Sequence, residues 1–215
     1  MVKIGSKPIL LHIIDLYLKF GLNDFYILVG YKSNIIKNYF KNFKKVDQRF
    51  EHRINNNRCY VTIIESGKNS MTGGRLKKIK NFLKQDEEFM FTYGDGVSNI
   101  NLEKLINFQK KLKKLITVTA VRPPARFGEI VIKNNIVKSF KEKPQVNQGW
   151  INGGFFITNK NFLNFIKNNQ TILEKHPLEK ATKLKQLSVY KHYGFWKCMD
   201  TIRDRIELQK IYKKT

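Results

Sequence analysis

Asp95 stands between Gly94 and Gly96 at the end of an apolar run, 89–92. That is an open place for a carboxylate to hold a divalent metal. Asp200 is the second candidate ligand, in Gly194-Phe195-Trp196-Lys197-Cys198-Met199-Asp200-Thr201, where it could equally cap the helix that follows. Two carboxylates from separate strands can share one Mg²⁺, which keeps its other positions for phosphate oxygens and water. Glu142-Lys143-Pro144 offers a cation for a phosphate and an acceptor for hydroxyls, though the same tripeptide also serves as a plain surface turn. Asn152-Gly153-Gly154 adds an amide beside backbone without a Cβ, and glycines in a strand also mark bulges. Gly73-Gly74 would let backbone approach a flat ligand, or simply form a turn. His12, His52, His176 and His192 are scattered, and the sequence suggests neither a Ser-His pair nor a histidine cluster. Two acids, one lysine and a glycine-lined slot suggest phosphoryl-type transfer. In such chemistry the protein positions the reactants and screens charge while one phosphate oxygen attacks another phosphorus in line.

The surrounding chain supplies elements to position these groups. Strand 60–64, loop 66–74, helix 75–83 and strand 89–92 read as one βαβ unit of a parallel sheet. Its glycine pair and Asp95 then fall beyond strand carboxyl ends, where open α/β sheets bind ligands. Apolar residues at 9, 10, 13, 14, 17 and 18 predict an amphipathic helix stopped by Gly21. Residues 25–29 read as a buried parallel strand, and Ser33 as the N-cap of a helix to about Phe43. Residues 44–58 read as polar and irregular, with Asn55-Asn56-Asn57 at a loop tip. A helix at 101–113 and a β-branched strand at 116–121 follow. Then come a hairpin, 128–132 and 136–140 around Asn134-Asn135, and a strand at 150–158. Helices at 160–168 and 177–184, a strand at 187–192 and a helix at 201–212 complete the chain. The pattern predicts an α/β fold, a doubly wound, mostly parallel, Rossmann-like sheet with one small antiparallel excursion. With no repeat or linker in view, residues 1–215 read as a single domain.

Composition narrows the classes. A 215-residue chain with 41% hydrophobic residues is large enough for a real core. The apolar run 9–18 is too short to cross a bilayer and carries His12 and Asp15. Cys59 and Cys198 are far apart and show no ligand spacing, which points to a reducing cytoplasm. The net charge of +24 could mean a nucleic-acid partner. The charge is spread along the chain, however, and drift toward Lys, Asn, Ile and Phe explains it better. It would still attract nucleoside triphosphates and sugar phosphates.

Eight segments in order carry a resemblance: IGSKPIL at 4–10, GYK at 30–32, SMTGGRLK at 70–77, FTYGDGV at 91–97, PPARFGEI at 123–130, FKEKP at 140–144, INGGFF at 151–156 and GFWKCMDT at 194–201. Together they resemble the sugar-1-phosphate nucleotidylyltransferases, and within them the glucose-1-phosphate cytidylyltransferase branch. The resemblance implies that Thr72, Gly73, Gly74 and Arg75 hold the pyrimidine of CTP, with Tyr93 and Gly94 beside the nucleotide. It implies Mg²⁺ on Asp95 and Asp200. Gly128, Glu142, Asn152 and Gly153 would line a glucose pocket, Lys143 would hold the sugar phosphate, and Thr201 would sit beside the phosphates. The implied reaction converts CTP and α-D-glucose 1-phosphate to CDP-glucose and pyrophosphate. The implied setting is a cytoplasmic homo-oligomer supplying deoxysugars for surface polysaccharide such as O-antigen.

One family segment has no counterpart here. A first strand, the loop L-A-G-G-x-G-T-R-L and a K-P-K-P segment precede the equivalent of Met1, and they grip the triphosphate. No G-x-G-x-x-G or G-x-x-x-x-G-K-[ST] replaces them. The expectation is an N-terminally truncated domain whose sheet has open edges and uncovered apolar surface. Cys198 also stands where the family often has Pro, and Lys185 where a turn usually takes Gly. The alternatives are a catalytically inactive nucleotide-binding relative and a basic nucleic-acid-binding protein. The first would bind CTP without turnover; the second would bind with steep salt dependence.

Overall fold

The computed structural model describes residues 1–46, 49–54, 57–84, 88–123, 129–141 and 149–213. A clip of two short strands, β1 (Lys3–Ile4) and β2 (Lys7–Pro8), turns through Gly5 into helix α1 (Ile9–Leu18). The spacing of α1 predicts one apolar face, but two are buried. Ile9, Ile13, Leu16 and Tyr17 enter one core cluster, and Leu11, Ile14 and Leu18 another. A helix that is apolar nearly all round is an interior helix, and each such side chain contributes roughly 1.5–3 kcal/mol on burial. The helix ends before Gly21, at φ 74°.

Strand β3 (Asp24–Val29) leads to α2 (Ser33–Phe40). Ser33 is the first helical residue and not the cap; Lys32 occupies that position at φ 56°, without a side-chain hydrogen bond. The stretch expected to be irregular instead forms β4 (Lys44–Val46), β5 (Arg49–Ile54) and the start of β6 (Asn57–Glu65). These pair antiparallel, with Ile54 opposite Asn57 at the tip. Phe50 is the reason: its ring lies 6.4 Å from that of buried Phe40, so a polar-looking strand anchors one face in the core. The lysines of β4 guard the outer edge. Residues 55–56, part of the expected loop tip, lie outside the described residues.

Helix α3 (Thr72–Lys77) and a 3-10 segment (Lys78–Phe82) connect to β7 (Glu88–Thr92). The helix starts three residues earlier than the sequence predicts, so Gly73 and Gly74 lie in its first turn and not in a loop. Next come β8 (Gly96–Ser98) and α4 (Leu102–Leu112), which Asn101 caps by accepting from Lys104 N at 2.9 Å. Beyond β9 (Ile116–Val121), the hairpin β10 (Glu129–Lys133) and β11 (Ile136–Lys141) turns on Asn134 and Asn135, both left-handed, as expected. Strand β12 (Ile151–Asn159), a 3-10 segment (Lys160–Phe165), α5 (His176–Lys183), β13 (Leu187–Lys191), β14 (Trp196–Cys198) and α6 (Ile202–Lys213) follow. Lys185, before β13, takes φ 54°, the conformation that suits Gly.

The α/β class holds, with mixed pairing. Two four-stranded sheets form, ordered β4-β5-β6-β3 and β7-β12-β9-β13. The β3–β6 and β9–β13 ladders are parallel, and the others within these sheets are antiparallel. Strands β6 and β7, expected side by side in one βαβ unit, fall in different sheets. Both sheets nevertheless share one layer. Phe25 of β3 and Met90 of β7 pack with the cluster that contains α1, whereas Tyr26, Leu28, Phe89 and Phe91 pack with the cluster that contains α3. That is the alternation of strands covered on both faces. Between the end strands β3 and β7 lies a slot of about 730 Å³, lined by both strands and by α1 and α3. Side chains of both strands, among them Phe25, Leu28, Phe89 and Phe91, line this slot.

Candidate active site

The carboxyl ends of β3 and β7 both arrive at α3, from opposite sides of the slot. On the β3 side Ser66 is the hub. Its hydroxyl donates to Val29 O at 2.6 Å and accepts from Arg75 NH1 at 2.8 Å. The Arg75 guanidinium lies against Gly30, where a Cβ would collide with it. Gly73 and Gly74 pack against the segment 169–173: a Cβ on Gly73 would lie 2.8 Å from Thr171 O, and one on Gly74 would overlap Asn169 O. Gly74 N also donates to Thr171 O at 3.1 Å. A side chain at either glycine would therefore meet protein backbone.

On the β7 side a polar chain links four elements. Thr72 Oγ1 donates to Glu174 Oε2 at 2.7 Å, Tyr93 OH donates to Glu174 Oε1 at 2.5 Å, and Asn152 Nδ2 donates to Tyr93 OH at 3.2 Å. Burial and then the Glu174 carboxylate push the Tyr93 phenol above its ordinary value, so it stays a neutral donor. Asn152 reaches Tyr93 because β12 bulges against β9 between Asn152 and Phe156. Gly154, at φ 77°, lies against the Tyr93 ring, and Asn152 Oδ1 accepts from Gly154 N at 2.8 Å. The bulge reading of Asn152-Gly153-Gly154 is thus correct, and the bulge aims the amide. Trp196 Nε1 donates to Gly153 O at 2.7 Å, which ties β14 to the same bulge.

Asp95 and Asp200 come together through this β14 connection. Met199 N donates to Asp95 O at 2.9 Å. Burial, and then the negative charge of Asp200, raise the Asp95 carboxyl above its ordinary value. Cys198 donates to Asp200 Oδ2 at 3.2 Å, and burial with that carboxylate pushes its thiol up to about 11. Asp200 does not cap α6. That role falls to Thr201, whose hydroxyl accepts from Asp204 N at 3.1 Å, while Asp204 Oδ2 accepts from Thr201 N at 2.9 Å. The Thr201 hydroxyl itself donates to Asp204 at 2.7 Å. Among the described residues, neither Asp95 nor Asp200 forms an ion pair. Two adjacent carboxylates left uncompensated in a chain of net charge +24 are a donor set that suits a divalent cation. No group of three or more His, Cys, Asp or Glu gathers as a metal cage among the described residues.

Of the residues singled out from sequence, Thr72, Tyr93, Asn152 and Gly153 thus join one network, with Gly94, Asp95, Asp200 and Thr201 along the adjoining strand ends. Arg75 lies across the slot. Gly128, Glu142 and Lys143 lie outside the described residues. Glu174 and Trp196 were not anticipated. Glu174 sits in a stretch with no motif, and Trp196 lies in the 194–201 segment with no role of its own until its indole meets Gly153.

A mixed α/β layer with two carboxylates beyond its strand ends has the layout of a ligand-binding α/β protein. The chain belongs to the nucleotidyl transferase family, whose model matches residues 1–203. It is 42% identical to a glucose-1-phosphate cytidylyltransferase of Salmonella typhimurium, over all of this chain and 87% of that protein. It is 34% identical to a probable glucose-1-phosphate cytidylyltransferase of Bacillus subtilis, with the same coverage. Among solved structures, HddC from Yersinia pseudotuberculosis superposes with a TM-score of 0.69 at 20% identity, covering 99% of this chain and 88% of that one. A UDP-glucose pyrophosphorylase complexed with UDP-glucose also gives 0.69, at 16% identity over all of this chain and 89% of that one. Both show the fold.

Proposed function

We infer that this protein transfers the cytidylyl group of CTP to α-D-glucose 1-phosphate, giving CDP-glucose and pyrophosphate. The observation that carries this is the 42% identity along the entire chain to an enzyme named for that reaction. In the reaction, an oxygen of the sugar phosphate forms a bond to the α-phosphorus of CTP. The bond from that phosphorus to the bridging oxygen breaks, and pyrophosphate leaves with the electron pair.

The site residues take these roles in the reading. Asp95 and Asp200 hold Mg²⁺, which when bound neutralises charge building on the phosphates; their uncompensated pairing supports it. Thr72, Gly73, Gly74 and Arg75, with Tyr93 and Gly94, hold the nucleotide. Asn152 and Gly153, with Gly128 and Glu142, line the sugar pocket; Lys143 takes the sugar phosphate and Thr201 lies beside the phosphates. The reading also includes a cytoplasmic homo-oligomer. Two cysteines far apart in the chain are compatible with a reducing compartment, and among the described residues no helix is long and apolar enough to cross a membrane.

The test is pyrophosphate release with Mg²⁺, glucose 1-phosphate and each of the four nucleoside triphosphates. It is run on this chain and on a form carrying a family-type strand and loop ahead of Met1. Release with CTP in either form, and little with the others, is the expected result. Release in neither form, or equal release with all four, would remove the assignment.

A further inference from the structure

Past Asn152 the same sheet face carries two cations that no carboxylate among the described residues balances. Asn152 lies opposite Ala120 of β9, and Ala120 lies opposite Lys191 of β13. Residues opposite one another in a ladder share a face, so the row Asn152, Ala120, Lys191 runs across three strands. One step further along, Ile151 pairs with Val121. That puts Trp150 and Arg122 next in register, two residues from Asn152 and Ala120 and on the same face again. The Arg122 guanidinium lies over the Trp150 ring at 4.5 Å, and Lys191 Nζ approaches that ring to 5.6 Å. Tyr193, which is exposed, meets Trp150 edge-on at 5.2 Å. Among the described residues neither Arg122 nor Lys191 forms an ion pair. Arg122 Nε is buried and has no hydrogen-bond partner. A buried donor without an acceptor costs stability, and two cations gathered at one ring repel each other. An anion between them relieves both costs.

We propose, on the reading above that Asn152 lines the acceptor pocket, that Arg122, Lys191 and Trp150 form a second anion site beside it. The site takes a phosphoryl group of the acceptor remote from the one that reacts, so the ligand class is a hexose bisphosphate. Strand order supports the placement. Asp95 follows β7, on one side of β12, whereas Arg122 and Lys191 end β9 and β13 on the other. The reacting centre and the cation patch therefore flank Asn152. Neighbouring strands lie about 4.8 Å apart, so Lys191 stands roughly 10 Å from Asn152, with Arg122 in between. A hexose seated at Asn152 can point its anomeric phosphate toward Asp95 and a far-side substituent toward the patch. Two cations suit a dianion better than a carboxylate. A phosphomonoester carries a charge of about −1.5 to −2 at pH 7 and has three acceptor oxygens, enough for Arg122 and Lys191 together. Trp150 holds the guanidinium plane in place, so little order is lost when its donors engage.

Isothermal titration calorimetry on the full chain, without CTP or metal, compares glucose 1-phosphate, glucose 1,6-bisphosphate and inorganic phosphate. The bisphosphate should bind at least about tenfold more tightly than glucose 1-phosphate, the worth of one added charged hydrogen bond. Trp150 is one of two tryptophans, and its indole N–H resonance, assigned with Trp150→Phe, should shift with the bisphosphate and not with glucose 1-phosphate. In the double variant Arg122→Gln with Lys191→Gln the advantage of the bisphosphate should vanish, whereas Lys191→Arg should keep it. Equal affinity for the two sugar phosphates, or an advantage that survives in the double variant, would overturn the proposal. So would inorganic phosphate that binds as tightly as the bisphosphate, because the patch would then be an anion site unconnected to the acceptor. A bisphosphate advantage without cytidylyl transfer would strike the function proposed above and leave this site standing. Transfer specific for CTP without the advantage would strike this site alone.

Discussion

Asp95 is a carboxyl whose ionised form costs the fold stability. Burial first, and Asp200 second, disfavour its ionised form, so the folded protein holds that proton more tightly than the unfolded chain does. The cost is absent below the ordinary value of 3.8, grows as pH rises, and is complete above the raised folded value. Asp95→Asn removes it. At neutral pH that variant should melt no lower than the parent, and should gain nothing in Tm from Mg²⁺, while turnover falls at least about 100-fold. A Tm rise with Mg²⁺ in the variant equal to that of the parent would move the metal elsewhere. Asp200→Asn should shift the Asp95 titration, followed by carboxyl ¹³C NMR, toward its ordinary value. Glu174→Ala should raise the KM for CTP more than that for glucose 1-phosphate, because it releases both Thr72 and Tyr93 on the nucleotide side. Lys143→Ala should do the reverse, raising the KM for glucose 1-phosphate roughly 10–100-fold, the worth of a charged hydrogen bond. At this scale the sequence marked Asp95 because glycines and a strand end isolate it, and marked Asp200 only as a carboxylate that could equally cap a helix. It could not mark Glu174, since a single acid in a loop has no spacing to read.

Elements were legible where one local signal decides them. Asn134-Asn135 specifies its hairpin through two left-handed residues, and Gly21 marks where α1 stops. They were illegible where a distant partner decides. Strand β5 looks irregular until Phe50 meets Phe40, and α3 starts at Thr72 because segment 169–173 packs on its glycines. That contact makes Gly74→Ala an overpacking change, expected to cost about 1–3 kcal/mol in a denaturant melt. A melt equal to the parent's would show that segment 169–173 yields freely. Lys185→Gly should act oppositely, because φ 54° strains a side chain. The expected gain is about 0.5–1 kcal/mol after the entropy that Gly adds to the unfolded chain.

For the whole molecule, the order of strands and helices followed from periodicity, and so did the α/β class. The division into two sheets did not. Sequence adjacency placed β6 and β7 in one unit, yet a slot separates their sheets, and only the edges of β3 and β7 reveal it. The net charge of +24 suits anionic substrates without defining them. The central claim is cytidylyl transfer, and the most direct test follows the transferred phosphorus. CTP labelled at the α-phosphate is incubated with Mg²⁺, glucose 1-phosphate and the protein, with and without the family-type strand and loop ahead of Met1. The account predicts label in CDP-glucose, matched one for one by pyrophosphate, and at least about 100-fold less transfer from labelled UTP. Label that stays in CTP with both forms, or transfer from UTP at an equal rate, would contradict it.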